Sequence, residues 1–301
     1  MNSKKALVID GNSLMYRMFY ATKNLSDYAV MHNIIPVNAV KLMLETCLKL
    51  RNQNYDYCLV AFDYGKKTFR HEQFEGYKDG RHQMPIELVN QIPLIKKSLE
   101  MIGFVHIALQ DYEADDLIGT FCNLMSKNEI HVDVYSSDKD MLQLVNKYTY
   151  VHLIKSGLTN IVINTVDNFA NLNNGLHPSQ IIDYKAIVGD KSDNICGIKG
   201  VGEKTGIELL IKYQSFENIY ANLDSLSKSL QTKFINSKKE AEMFKEIIAI
   251  NCNVNFDLFN EIINFNIDMF AYILEITTTN KNWSFVLDTF FYPFSICVLQ
   301  K

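Results

Sequence analysis

Residues 6–10 read Ala-Leu-Val-Ile-Asp, residues 58–63 Cys-Leu-Val-Ala-Phe-Asp, and residues 132–138 Val-Asp-Val-Tyr-Ser-Ser-Asp. Each is a short run rich in apolar and β-branched residues that ends on an aspartate. Runs this short, apolar with little alternation, are the mark of strands buried on both faces, as in a parallel sheet. Weaker strand signals occur at 104–108 and 148–153. Between the strands, at about 37–51, 86–102 and 115–127, apolar residues recur at helical spacing. Strand and helix alternating in this way predict an α/β domain with a mostly parallel, doubly wound sheet wrapped by helices.

From about residue 178 strand signals thin out and helical periods dominate, at 181–188, 204–213 and 238–250. The expected organisation is an α/β core over 1–175 and a helical region over 176–301, with the boundary near Gly175. Residues 66–84 are polar, basic and aromatic with little apolar period, and are expected to form a projecting excursion, or arch, at about 66–90.

A chain of 301 residues that is 48% hydrophobic can bury a sizeable core. The apolar run before Asp10 is too short for a signal peptide. The apolar stretch 283–299 is broken by Asp288 and Pro293, so it is expected to be buried core and not a bilayer span. A cytoplasmic location without membrane contact follows as the expectation. The six cysteines, Cys47, Cys58, Cys122, Cys196, Cys252 and Cys297, form no CxxC pair and are expected to be core thiols. Without HxxxH or GxSxG spacing, zinc hydrolysis and nucleophile-elbow chemistry lack support.

In open parallel sheets ligands bind beyond the carboxyl ends of the strands. Asp10, Asp63 and Asp138 stand at three such ends, with Asp140 two positions further on. Tyr112-Glu113-Ala114-Asp115-Asp116 opens a helix, and Gly189-Asp190-Lys191-Ser192-Asp193-Asn194 forms a turn. Singly, these acids read as caps and turn formers. Nine carboxylates converging on one cleft would repel one another or shift their pKa values steeply unless divalent cations neutralise them. Oxygen-only ligands favour Mg²⁺ or Mn²⁺ over zinc. Hard cations in an open cleft are the equipment of two-metal phosphodiester hydrolysis.

The net charge of −4 argues at first against a nucleic-acid partner, yet with the nine acids set apart, 30 Lys and Arg face the 25 that remain of 34. The excursion mixes cations with aromatics, Lys66-Lys67-Thr68-Phe69-Arg70-His71 and Tyr77-Lys78-Asp79-Gly80-Arg81, a combination suited to gripping a single strand. Three of the four arginines, Arg17, Arg70 and Arg81, fall in these motif-like segments. Gly197-Ile198-Lys199-Gly200-Val201-Gly202-Glu203-Lys204-Thr205 precedes a helical run but follows no strand and lacks the P-loop order. A hairpin between two helices, holding duplex backbone without reading bases, fits it better.

Together VIDGNSLMYRMFYA, VAFDYGKKTFRHEQFEGYKDGR, YEADDLIGT, SSDKDMLQLV and AIVGDKSDNICGIKGVGEKTGIELL resemble the FEN-like 5′ nucleases, which include the 5′-3′ exonuclease domain of bacterial DNA polymerase I. The resemblance spans about 7–210 and suggests the free-standing form. It implies a 5′-3′ exonuclease and flap endonuclease acting on DNA, with RNA–DNA hybrids as further substrates, in primer removal and repair. It places Asp10, Asp63, Glu113, Asp115, Asp116 and Asp138 around one ion, and Asp140, Asp190 and Asp193 around a second. It gives Lys78 the scissile phosphate and Tyr77 a stacked base, with Arg81 and Arg70 supporting strand and phosphate. Gly197, Lys199, Gly200, Gly202 and Lys204 belong to a helix-hairpin-helix-type element that in the family can hold K⁺. A monomer is expected. Two rival readings are a PIN-like ribonuclease, which shares an acidic sheet edge, and a structure-specific DNA-binding protein without catalysis.

Overall fold

The computed structural model describes residues 4–254, apart from Lys66 and Leu158. The expected core stretch 283–299, Cys297 and the helical region beyond Val254 lie outside the described residues. Six strands form one sheet: β1 (Lys5–Asp10), β2 (Tyr57–Ala61), β3 (Val105–Ile107), β4 (His131–Ser136), β5 (Thr149–Ser156) and β6 (Asn160–Asn164). Their order is β3-β2-β1-β4-β5-β6, with β6 alone antiparallel. All five residues of β2 and all but Lys5 of β1 are buried, which is why these strands read as unbroken apolar runs.

The helices are α1 (Gly11–Ala21), α2 (Lys23–Met31), α3 (Asn38–Arg51), α4 (Phe69–Gln73), α5 (Ile86–Val89), α6 (Ile92–Met101), α7 (Ala114–Lys127), α8 (Phe169–Leu172), α9 (Ile181–Val188), α10 (Glu203–Tyr213), α11 (Phe216–Ala221) and α12 (Lys228–Ile248). The chain runs outward from β1 through β2 to β3, then α7 carries it back to β4 on the other side of β1. Right-handed crossovers therefore set α3 and α6 on one face and α7 on the other, with the direction reversing between β1 and β4. Such a switch point leaves a crevice at the carboxyl ends of those two strands.

Several local expectations change. The helix expected over 86–102 is two, because Pro93 cannot donate to the preceding turn and Gln91 at the break is buried, accepting from Ala39 N at 2.9 Å. α12 begins ten residues earlier than its apolar period suggested, with Ser227 accepting from Leu230 N as its cap. Helix α1 and strand β6 were not foreseen. The excursion is not wholly outside the core: Arg70 is 2% and Tyr77 4% exposed. Tyr77 packs in an apolar cluster with Phe244, Ile195 and Ile248, and Phe74 meets Phe244 edge to face. Among the cysteines, Cys47, Cys58 and Cys122 are buried, whereas Cys196 is exposed and Cys252 intermediate. No described helix is long and apolar enough to cross a membrane.

Candidate active site

At the switch point the sheet delivers its aspartates to one cleft of about 1390 Å³, lined by Asp10, Asp63, Glu113, Asp115 and Asp138. Asp10 closes β1 and caps α1, accepting from Ser13 N at 2.9 Å and from Ser136 Oγ at 2.7 Å. Asp63, two residues past β2, accepts from Ala114 N at 2.8 Å and from Asn12 Nδ2. It thereby ties the strand end to the start of α7. Asp138 accepts from Asp140 N at 2.9 Å, which turns the chain after β4. Glu113 caps α7, and Asp115 in its first turn lies where the helix dipole favours an anion.

Charge is concentrated here. Burial, and then the neighbouring Asp138 and Asp63, push Asp10 up to about 7 against its hydrogen bonds from Ser13 and Ser136. Burial together with Asp138 and Asp10 lifts Asp115 well above the usual carboxylate range. Burial raises Asp63 as well. Asp115, Asp138 and Asp140 each offer an oxygen, and the three lie within 4.8 Å of one another. Buried carboxylates that oppose each other's ionisation, with oxygen atoms at ligand spacing, fit a hard divalent cation.

The cations around the acids are specific. Lys78 Nζ meets Glu113 Oε1 at 2.8 Å. Burial alone would lower its pKa, but Glu113, Asp115 and Asp193 outweigh burial and raise it, so the ammonium is retained. The Lys78 backbone is left-handed, at φ 56°, and its N–H donates to Asp193 O at 3.1 Å, an unusual conformation of the kind that collects at functional sites. Arg81 pairs with Asp193 and donates to Ser192 O at 3.1 Å. Arg17 lines the cleft, donating to Lys155 O at 2.8 Å.

Not every expected group gathers with its expected partners. Asp116 is fully buried behind the cleft, where Arg70 grips both its oxygens at 2.8 and 2.7 Å and Asn251 N donates to Oδ1 at 2.9 Å. Arg70 also donates to Ile247 O and Ala249 O. It is therefore a buried clamp between α4, α7 and the end of α12, and does not face a strand of nucleic acid. Tyr77 is 4% exposed at the wall of the cleft, its hydroxyl 3.1 Å from Glu113 Oε2 and 3.4 Å from Asp193 Oδ2. Asp140 stands with Asp115 and Asp138, apart from the grouping expected for it. Lys185, on α9, links Asp140 to Asp190, which it meets at 2.6 Å. Sequence reading missed Lys185; its place five residues before Asp190, on the α9 face that meets the turn, was the available signal.

Residues 189–202 join α9 to α10 as a tight hairpin. Gly189 (φ 93°) and Gly197 (φ 64°) lie back to back, so a Cβ at Gly197 would stand 2.4 Å from Gly189 N. Ile198 and Val201 are buried among Leu209, Leu210 and Phe234, while Lys199, Gly200, Gly202 and Lys204 are exposed. Apolar residues inside and cations outside leave a basic loop tip.

Residues 5–171 match the family model described as 5′-3′ exonuclease, N-terminal resolvase-like domain, and residues 176–268 match 5′-3′ exonuclease, C-terminal SAM fold. A 5′-3′ exonuclease of Mycoplasma genitalium is 46% identical over 255 residues, covering 84% of this chain and 88% of the relative. DNA polymerase I of Bacillus subtilis is 41% identical over 249 residues, 82% of this chain but 28% of that protein. The T5 5′-exonuclease, solved with bound zinc, shares the fold at a TM-score of 0.69 and 18% identity, over 88% of this chain and 99% of the other. By these matches, and with aspartates at the strand ends its sheet delivers to one crevice, the chain belongs to the 5′-3′ exonuclease family.

Proposed function

We propose that the cleft hydrolyses DNA phosphodiesters at free 5′ ends and at the base of 5′ flaps, with two Mg²⁺ or Mn²⁺ ions and 5′-phosphorylated products. The observation that carries this reading is the convergence of Asp115, Asp138 and Asp140 within 4.8 Å at the switch point of the sheet. Two divalent ions, when bound, supply activation of water and stabilisation of the attacking and leaving oxygens. Asp115, Asp138 and Asp140 would hold one, with Asp10 and Asp63 beside them, and Asp190 and Asp193, with Asp140 between the two, would contribute to the other as Lys185 and Arg81 release them. Lys78, still charged despite burial, donates to the scissile phosphate. The Tyr77 hydroxyl fixes Glu113, and through it Lys78, so Tyr77 positions and does not touch substrate. Arg17 and Arg81 line the cleft where a 5′ strand would pass, and Lys199 and Lys204 hold the duplex backbone. All these groups come from one chain, so a monomer suffices. RNA–DNA hybrids fit the same site, which contacts backbone and not bases, and primer removal and repair are the roles such an activity serves.

The test is incubation of a 5′-flapped DNA duplex and its RNA-flapped counterpart with Mg²⁺, Mn²⁺ or EDTA. Metal-dependent cutting near the junction that leaves a 5′ phosphate supports the reading. Tight flap binding without cutting in either metal contradicts it and favours a binding protein, and cutting of the RNA flap alone favours a ribonuclease.

A further inference from the structure

The tip of the hairpin is covered from a second element. Lys233, on α12, donates from Nζ to the Gly200 carbonyl at 2.9 Å. A Cβ on Gly200 (φ 80°) would stand 3.1 Å from both Cε and Nζ of Lys233, so the bare glycine lets the lysine stem lie against the loop. Other carbonyls of the loop are also engaged: Ile198 O accepts from Val201 N at 2.9 Å, Gly202 O from Gly206 N at 2.9 Å, and Gly197 O from Cys196 Sγ at 3.5 Å.

The family resemblance implies a monovalent cation held by hairpin carbonyls, but with the Lys233 ammonium fixed on the Gly200 oxygen the residues present do not fit one. A bound K⁺ needs several convergent carbonyl oxygens, whereas here the exposed Gly200 oxygen already faces a fixed ammonium. We infer that Lys233 supplies in cis the positive charge that a bound monovalent cation would otherwise place at this loop. An ammonium is a compact point charge with three donors. One bond to Gly200 leaves two able to take a phosphate oxygen of a duplex lying over Lys199 and Gly200. The inference rests on the reading of the hairpin as a duplex grip, and it makes Lys233 a binding residue supplied by a helix outside the motif.

Duplex binding by fluorescence anisotropy, in EDTA and at equal ionic strength of KCl, NaCl or tetramethylammonium chloride, tests it. The wild type should bind equally, within about twofold, in all three salts, because its cation is built in. Lys233→Met should bind ~10-fold more weakly in tetramethylammonium and recover at least about threefold in K⁺, which can enter the vacated position. Wild-type binding already about threefold tighter in K⁺ than in tetramethylammonium, or a Lys233→Met protein indistinguishable from wild type, would overturn the proposal. A Lys199→Ala/Lys204→Ala protein measured alongside separates the two layers. If it binds like wild type, the hairpin reading itself fails; if it weakens while Lys233→Met does not, only the role of Lys233 fails.

Discussion

Strand β4 carries an aspartate near its start, and a second follows its end; the two live in opposite electrostatic conditions. Asp133, toward the amino end, accepts from Tyr55 OH at 2.7 Å, His152 Nε2 at 2.8 Å and His131 Nε2 at 3.1 Å. Burial would raise its pKa, but these hydrogen bonds and the charge of His152 outweigh burial and hold it well below the usual range. Asp138, past the carboxyl end, stands within ligand distance of two more carboxylates and helps to raise Asp115 and Asp10. Two acids five residues apart thus serve different ends: one is satisfied by neighbours and stabilises the sheet, the other adds to a charge that only a ligand can neutralise. The amino end of the sheet is built for stability and the carboxyl end for binding.

The sharpest way to break this contrast is at Asp115. Asp115→Asn should lower flap cleavage by at least about 100-fold, by analogy with losses at metal-site residues, while leaving the melting temperature in EDTA unchanged or higher, because it removes a repelling charge. Loss of folding together with activity would place Asp115 among the structural acids.

Arg70→Met should destabilise the fold by about 3–5 kcal/mol, since it leaves Asp116 buried and unpaired and frees the carbonyls at the end of α12. Urea unfolding checks this. A shift below about 1 kcal/mol, with duplex binding lost instead, would return Arg70 to the nucleic-acid role its sequence context suggested.

A smaller loss is expected from Tyr77→Phe, roughly tenfold in kcat with KM for the flap nearly unchanged, because the hydroxyl orients Glu113 and Lys78 without meeting DNA. A change confined to KM would instead support base stacking by Tyr77.

The two ends of the sheet should also titrate in opposite directions. Asp10 has a folded pKa raised to about 7, above its unfolded value, so its contribution is fully present below about pH 4 and is lost as pH rises toward 7. In EDTA, Asp10→Asn should therefore flatten a decline in stability between about pH 4 and 7. Asp133 has a depressed folded pKa, so its contribution is present above about pH 4 and is lost as pH falls below it. Asp133→Asn should make acid unfolding less steep. Equal pH profiles for the two variants would erase the distinction.

Much of this was legible in the chain. Strand-end aspartates could be read because a parallel sheet sends its loops to one edge, and an apolar run ending in Asp marks that edge without any coordinates. The α7 opening Glu113-Ala114-Asp115-Asp116 could be read as a helix start, but not which of its acids faces the cleft. Successive residues on a helix point about 100° apart, so Asp115 faces the cleft while Asp116 turns inward to Arg70. The burial of Arg70 and Tyr77 could not be read because a basic, aromatic run looks alike whether solvated or folded onto a core, and burial depends on α12 more than 160 residues later. Helix α1 had its signal in Leu14, Met15, Met18 and Phe19, spaced at i and i+4, but the glycine and polar residues at its start obscured it. Lysines on a helix ordinarily signify only a solvated face, which hid Lys185 beside its own turn and Lys233, whose loop lies 33 residues away.

Divalent ions should bind at the carboxyl end of the sheet and not at its amino end. Mn²⁺ titration followed by electron paramagnetic resonance, comparing wild type, Asp115→Asn and Asp133→Asn without DNA, tests that directly. Asp115→Asn should weaken Mn²⁺ binding by about tenfold or more, while Asp133→Asn should bind as the wild type does. Unchanged Mn²⁺ affinity in Asp115→Asn, or an equal loss in both variants, would contradict it.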